Sequence, residues 1–405
     1  MTHSASRDLE IAAQYPPTTR TVWHTIVICF GALLGALLFG SVWQLAPDGL
    51  SAMSRGTPYW DFSNLWFGSH LALNGHLDYL FNPDLYRRAL RQTFFQSMAN
   101  QEWSYPPSML LIGIPFALMP IGWAYFVWTM GTIALLLAAL RTLSMPEEDR
   151  HAILISSAVF INAALGQNGA LTAALFVAGL SLLERRPVLA GVCIGLLTIK
   201  PHLGLLLPVV LLAGRHYRAA FSAAATVLVL IVITAMAWGP GIWVDFWEKT
   251  MPMMSSIMQA PFPQPYQSKA LTVFVVVRSW GLSLPVSYGA QAICLLAALV
   301  ITWRAWRPKT GYDENIRLAL TALLLPLSTP YGYIYDSIPV IVAVMLLRSS
   351  RLSCPIWLFA LLWTTPLIGI LLNSRGVQLA ILIPALAVLW VLWKSRRLVA
   401  QVTTS

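Results

Sequence analysis

The side chains able to do chemistry in this sequence sit at the breaks between apolar runs, and the first of them is Asp61, flanked by Tyr59, Trp60, Phe62 and Trp66. A carboxylate in that setting can take a proton from a hydroxyl as a general base. It can equally cap the helix that Phe62 to Leu73 predicts, since Asp is a favoured N-cap. Lys200 and His202 flank Pro201 in the middle of an apolar stretch. Proline breaks the helix there, and a cation beside an imidazole suits a phosphate; the plainer alternative is a lysine snorkelling to the interface. Gln167 and Asn168, between Gly166 and Gly169, offer neutral donors and acceptors to sugar hydroxyls or to their own tight turn. Asp336 follows Tyr331, Tyr333 and Tyr335. Together with Tyr331 and Tyr335 it is a candidate substrate contact, or else a structural partner of Lys200 or Arg278. Arg278 interrupts the apolar run Leu271 to Trp280 and meets either a substrate phosphate or lipid headgroups. His70, His76, Asp78 and Asp84 read as solvated loop residues.

The elements that must position these groups are membrane helices. Of 405 residues, 57% are hydrophobic and only 10% charged, and the mean hydropathy is +0.67. Soluble domains carry about 25% charged residues. The formal charge of +10 is scattered through short loops, as cytoplasmic loops require, so nucleic acid is excluded as a partner. Cys29, Cys193, Cys294 and Cys354 have no metal or redox spacing, and no cofactor or metal is expected. No phosphate loop, dinucleotide turn, zinc-protease motif or serine elbow is present. Val22 to Leu45 is too long for a signal h-region and right for a span.

Residues 1–20 are expected to be a cytoplasmic tail, with Arg7 and Arg20 beside the membrane. The first span then delivers the large loop 46–107 to the outside. That loop holds Arg55, Arg87, Arg88 and Arg91 against the positive-inside bias, which weakens in loops of about 60 residues. Within it, Leu85 to Met98 reads as an amphipathic helix lying on the membrane surface. Beyond it the apolar runs come in short pairs: 151–165 with 169–183, 187–199 with 203–214, and 318–328 with 337–347. Basic residues at their outer ends turn Gly166 to Gly169, Lys200 to His202 and Thr329 to Asp336 to the same side as Asp61. Runs of about 14 residues are about 21 Å long as helices, against about 30 Å of hydrocarbon, so these turns should lie in a protein-lined vestibule. The parity requires Ser108 to Met119 to be re-entrant, and Ala270 to Trp280 reads as interfacial. The fold class expected is an all-α polytopic membrane protein with about 12 transmembrane helices, some short or broken, in one catalytic domain over 21–397 before a cytoplasmic tail at 398–405.

Asp61-Phe-Ser-Asn-Leu-Trp66, Gly75, Asn82-Pro-Asp-Leu-Tyr86, Tyr105-Pro-Pro107, Gly166-Gln-Asn-Gly169, Leu197-Thr-Ile-Lys-Pro-His202, Thr329-Pro-Tyr331 and Tyr335-Asp336 occur in that order. From about Val22 to Leu347 the chain thereby resembles glycosyltransferase family 87, polytopic enzymes of the GT-C fold related to bacterial polyprenol-phosphate-mannose-dependent mannosyltransferases. The resemblance implies a sugar donor on a polyprenyl phosphate and a catalytic Asp in the first outer loop, which falls on Asp61. His202 departs from the family's pattern, where Gln is common. The expected activity is transfer of mannose or a similar hexose or pentose to a lipid or glycan acceptor. It takes place at the outer face of the cytoplasmic membrane, among its lipids, with Asp61 as base and inversion at the anomeric carbon. Lys200, His202 and Arg278 are the expected phosphate ligands, and Gln167, Asn168, Tyr331, Tyr335 and Asp336 the substrate contacts. Broken helices with polar midplane groups also suit a transporter or flippase of lipid-linked sugars. Against it stand polar turns on one side only and no inverted repeat. A non-catalytic assembly protein, whose vestibule residues could be replaced without loss, is a third reading.

Overall fold

Apolar residues form uninterrupted helices of membrane length only where proline and glycine stay out of the helix interior. The computed structural model describes residues 19–53 and 56–404, and in it four helices are long and apolar enough to cross a membrane: Val22–Val42, Ile121–Leu140, Tyr217–Trp238 and Leu284–Trp306. Ile356–Trp363 and Thr365–Asn373 form a fifth if counted together, with a 58° bend where Pro366 follows the break at Thr364. Proline has no N–H to continue the ladder. The other apolar runs end as shorter helices: Ser108–Ala117, Gly169–Ser181, Pro187–Ile199, Pro201–Ala213 and Ile338–Ser349. The expected twelve or so crossings are therefore not matched by twelve helices of spanning length among the described residues. Ser108–Ala117, with 10 residues and Pro115 inside it, is about 15 Å long and reaches about halfway through a hydrocarbon core.

The two kinds of helix occupy different places. Long helices present apolar side chains outward, Phe221 and Met236 among the most exposed. Such surface is tolerable only against lipid or a partner. Ile338–Ser349, by contrast, is buried at every position from Ile338 to Leu347. A helix that is apolar all round belongs at the centre, and this one packs against Glu314–Ser328 and Gly169–Ser181. No sheet is present among the described residues, only the isolated bridges Leu45 to Ser51 and Ala270 to Tyr333.

Between the first two long helices lie Trp60–Leu73, Leu77–Leu80 and Pro83–Thr93. Asn82 caps the last of these, accepting from the backbone N–H groups of Asp84 and Leu85, with Pro83 in the first turn. Its apolar face does not lie on the membrane surface as expected. Tyr86 and Leu90 are buried in the protein, with the Tyr86 ring 5.3 Å from Phe67. Trp60–Leu73 offers a closer apolar partner than lipid. The stretch expected to be interfacial at 270–280 is likewise packed inside, as the helix Val273–Ser279 with Phe274 to Val277 buried. Of the predicted tails, residues 1–18 with Arg7 lie outside the described residues, as does Arg55, and the helix Leu382–Thr404 continues through most of 398–405.

Candidate active site

Asp61 lies in the first turn of Trp60–Leu73, where a carboxylate complements the positive end of the helix dipole. The cap position itself belongs to Tyr59, so Asp61 is not the N-cap. Its Oδ2 is buried and has no hydrogen-bond partner. Three residues on, Asn64 and the segment before Tyr105 hold this helix in place. Asn64 Nδ2 donates to the Glu102 carbonyl at 3.0 Å, and Gln101 Nε2 donates to the Trp60 carbonyl at 2.7 Å.

The turn Gly166 to Gly169 reaches both ends of the site. Gly166 closes Ser157–Leu165 in the left-handed region, φ 67°, and a Cβ there would stand 2.5 Å from Phe62 Cβ. The turn is thus pressed against the residue after Asp61. A Cβ at Gly169 would stand 2.3 Å from the Tyr335 carbonyl oxygen, so the other edge of the turn abuts the residue before Asp336. Glycine is needed at both positions, at one for conformation and close approach and at the other for approach alone.

Lys200 sits at the break between two short 3-10 turns, Leu197–Ile199 and Pro201–Gly204. Its ammonium donates to Asn168 Oδ1 at 2.9 Å and to Asp336 Oδ1 at 2.5 Å, and lies 5.0 Å from the centre of the Tyr335 ring. The ring face supplements the carboxylate in balancing the charge. An ammonium has three N–H donors, and these two bonds leave one. Tyr335 stacks on Tyr333 at 5.2 Å, and His202 faces Tyr331 with ring centres 6.2 Å apart. Asp336 Oδ2, Asn168 Nδ2 and His202 Nε2 are buried without partners, as Asp61 Oδ2 is. Buried polar atoms are nearly always bonded. Four such exceptions fall at the ends of the elements that meet here.

Electrostatics tie Asp61 to the Lys200 end. Burial, and then the negative charges of Asp61 and Asp336, push the Tyr105 hydroxyl well above the ordinary tyrosine range. Tyr266 is raised in the same way by burial, by Glu102 and by tyrosine and aspartate neighbours that include Asp61. Both phenols therefore stay neutral donors at any physiological pH. Tyr266 donates to Glu102 Oε2 at 3.3 Å, while Arg87 Nε donates to Glu102 Oε1 at 2.8 Å. The Tyr86 hydroxyl donates in turn to Asn64 Oδ1.

Asn168, Lys200, Tyr335 and Asp336 are in direct contact, with His202 two residues on and Tyr331 beside it, Gln167 buried next to Asn168, and Asp61 near enough that its charge and that of Asp336 both reach Tyr105. The Gln167 side chain bonds within its own turn, its Oε1 accepting from the Asn168 N–H at 3.4 Å, while its backbone carbonyl accepts from Trp128 Nε1 at 3.4 Å. Arg278 is not brought in: its Nη1 donates to the Leu282 carbonyl at 2.8 Å, at the end of its own helix. Glu102, Tyr105, Tyr266 and Tyr333 were not among the predicted site residues. Glu102 could have been found, because it is an acid beside Trp103 and Tyr105 just before Pro106. Tyr266 has no such mark in its polar loop. Among the described residues no three His, Cys, Asp or Glu side chains gather as a metal ion would need.

No curated protein and no solved structure matches the chain. Residues 103–330 match the profile of glycosyltransferase family 87, a stretch that holds Tyr105, the 166–169 turn and Lys200 but begins after Asp61 and stops before Tyr331. That stretch is more than half of the sequence, and with the apolar helices around it the chain belongs to glycosyltransferase family 87 and is a membrane glycosyltransferase.

Proposed function

We propose that this enzyme moves a sugar, mannose or a similar hexose or pentose, from a polyprenyl phosphate to a lipid or glycan acceptor at the outer face of the cytoplasmic membrane. The observation that carries the reading is a carboxylate, Asp61, whose Oδ2 is buried and unpartnered, set with a cation, Lys200, on either side of one turn that touches both their neighbourhoods. Asp61 takes the proton from the acceptor hydroxyl, and that oxygen bonds to the anomeric carbon as the bond from that carbon to the phosphate oxygen breaks. The products are the glycoside and free polyprenyl phosphate. Negative charge grows on the departing phosphate, and the third N–H of Lys200 together with the His202 imidazole meets it there. The Asp336 carboxylate and the Asn168 amide hold Lys200 in position. Gln167, Tyr331 and Tyr335 line the space for the sugar. Arg278, tied to Leu282, takes no part. Displacement in one step with a single base inverts the anomeric centre.

The test is release of polyprenyl phosphate and formation of glycoside by purified protein in lipid. Asp61→Asn should lower both by about 10²- to 10⁴-fold with the fold intact. A near wild-type rate would remove Asp61 from the role. Substrate crossing the bilayer with its phosphate–sugar bond intact would favour transport instead.

A further inference from the structure

Three of the four arginines that run against the positive-inside bias in the predicted outer loop, Arg87, Arg88 and Arg91, are left without a role by the transfer chemistry. Arg87, Arg88 and Arg91 lie on Pro83–Thr93, with Arg88 on the exposed side opposite the buried Tyr86 and Leu90 and the half-buried Arg87 and Arg91 on the flanks. They line a groove of about 480 Å³ whose other walls are Asp84, Gln92, Gln96 and Asn100. Every lining residue is polar, and three guanidinium groups face a single carboxylate. Two of the three are held in place. Arg87 is fixed by the buried Glu102 and, at 3.8 Å, by Asp84; Arg91 donates to the Met98 carbonyl at 3.2 Å and to Asn100 Oδ1 at 2.6 Å. Arg88 is exposed and has no hydrogen bond or ion pair among the described residues.

The groove is linked to the site through Glu102, which does not line it but bonds Arg87, which does. Glu102 holds Arg87 through one carboxylate oxygen and accepts from Tyr266 through the other, while its carbonyl accepts from Asn64 on the Asp61 helix. A group bound by the arginines is therefore joined through a single residue, Glu102, to the helix that carries Asp61.

We propose that this groove is a phosphate-binding subsite that holds the anionic end of the acceptor. The assignment of that end to the acceptor rests on the transfer reading above. Arg88 presents an unengaged guanidinium fork that matches phosphate oxygens in a way lysine does not, and the N–H groups that Arg87 and Arg91 have left over line the same groove. The phosphate belongs either to a soluble phosphorylated saccharide or to an anionic lipid headgroup, because both present the same oxygens.

Covalent labelling of arginine by phenylglyoxal, read peptide by peptide by mass spectrometry on the full chain in phosphatidylcholine nanodiscs, tests it. Inorganic pyrophosphate should slow labelling of Arg88 by about tenfold at saturation and leave the exposed Arg351 untouched. Arg91→Gln should abolish that protection. If nanodiscs containing phosphatidylglycerol protect Arg88 without pyrophosphate, the phosphate is a headgroup; if they do not and pyrophosphate does, it is a soluble group. Equal labelling of Arg88 in every condition, or protection of Arg351 to the same degree, overturns the subsite. Failure of the transfer chemistry would show separately, as no polyprenyl phosphate released, without changing Arg88 labelling.

Discussion

Two ion pairs with buried carboxylates lie at opposite ends of the helix Ile338–Ser349, about 18 Å apart along its 12 residues. At its end, Arg348 bonds Asp149 Oδ1 and Ser349 Oγ donates to Asp149 Oδ2 at 3.1 Å, so both carboxylate oxygens are used. At its start, Lys200 bonds Asp336 Oδ1, but Oδ2 is buried and free, as are Asn168 Nδ2 and His202 Nε2 around it. Burial of the carboxylates is nearly equal, with side chains 1% and 4% exposed. Burial alone thus does not separate a structural pair from a site. Completion of the carboxylate's hydrogen bonds does separate them: both Asp149 oxygens are bonded, although Arg348 Nε is not, whereas Asp336 keeps a bare oxygen with the unpartnered Asn168 Nδ2 and His202 Nε2 around it.

The sharpest way to break the contrast is to remove each cation. Lys200→Met should cost both function and fold. Transfer should fall by about 10²- to 10³-fold through loss of charge stabilisation, and unfolding free energy should fall by about 3–5 kcal/mol through an unpaired buried carboxylate. Adding Asp336→Leu to Lys200→Met should restore most of the stability in a denaturation curve and none of the transfer. If transfer returned with stability, the pair would be structural, like its counterpart. Arg348→Ala should cost a similar 3 kcal/mol or so, while turnover per folded molecule stays unchanged. A smaller effect is expected at the turn between the two halves of the site. Gly166→Ala forces a left-handed alanine against Phe62 and should cost about 1–3 kcal/mol, with a larger relative loss of transfer than of stability because Phe62 neighbours Asp61.

Much of this architecture can be read from the residues. Apolar runs such as Tyr217–Trp238 become the helices their length predicts, and the proline and glycine breaks at 166–169, 200–202 and 329–336 become the turns that carry polar side chains. Register within those runs is local, so a sequence states it. The helix count was not legible in the same way, because a run such as Ser108–Ala117 is apolar whether it spans or folds back. Nor was the fate of Leu85 to Met98. An amphipathic face is equally content against lipid or against Phe67, and only the neighbouring helix decides.

Within the site the division is similar. Asp61, Lys200 and Asp336 stand out because an ionisable group among apolar residues is costly and so has a purpose. Glu102 and Tyr266 do not, since polar residues in polar loops carry no such signal, yet they join the Asp61 helix to Arg87. The chain order of amino acids settled which groups are charged, where helices break, and that the protein belongs in lipid, because each follows from local chemistry. Which carboxylate finds a cation 136 positions away, and which polar atoms are left unpaired when it does, was decided only by helices packing in three dimensions, where distance in sequence no longer matters.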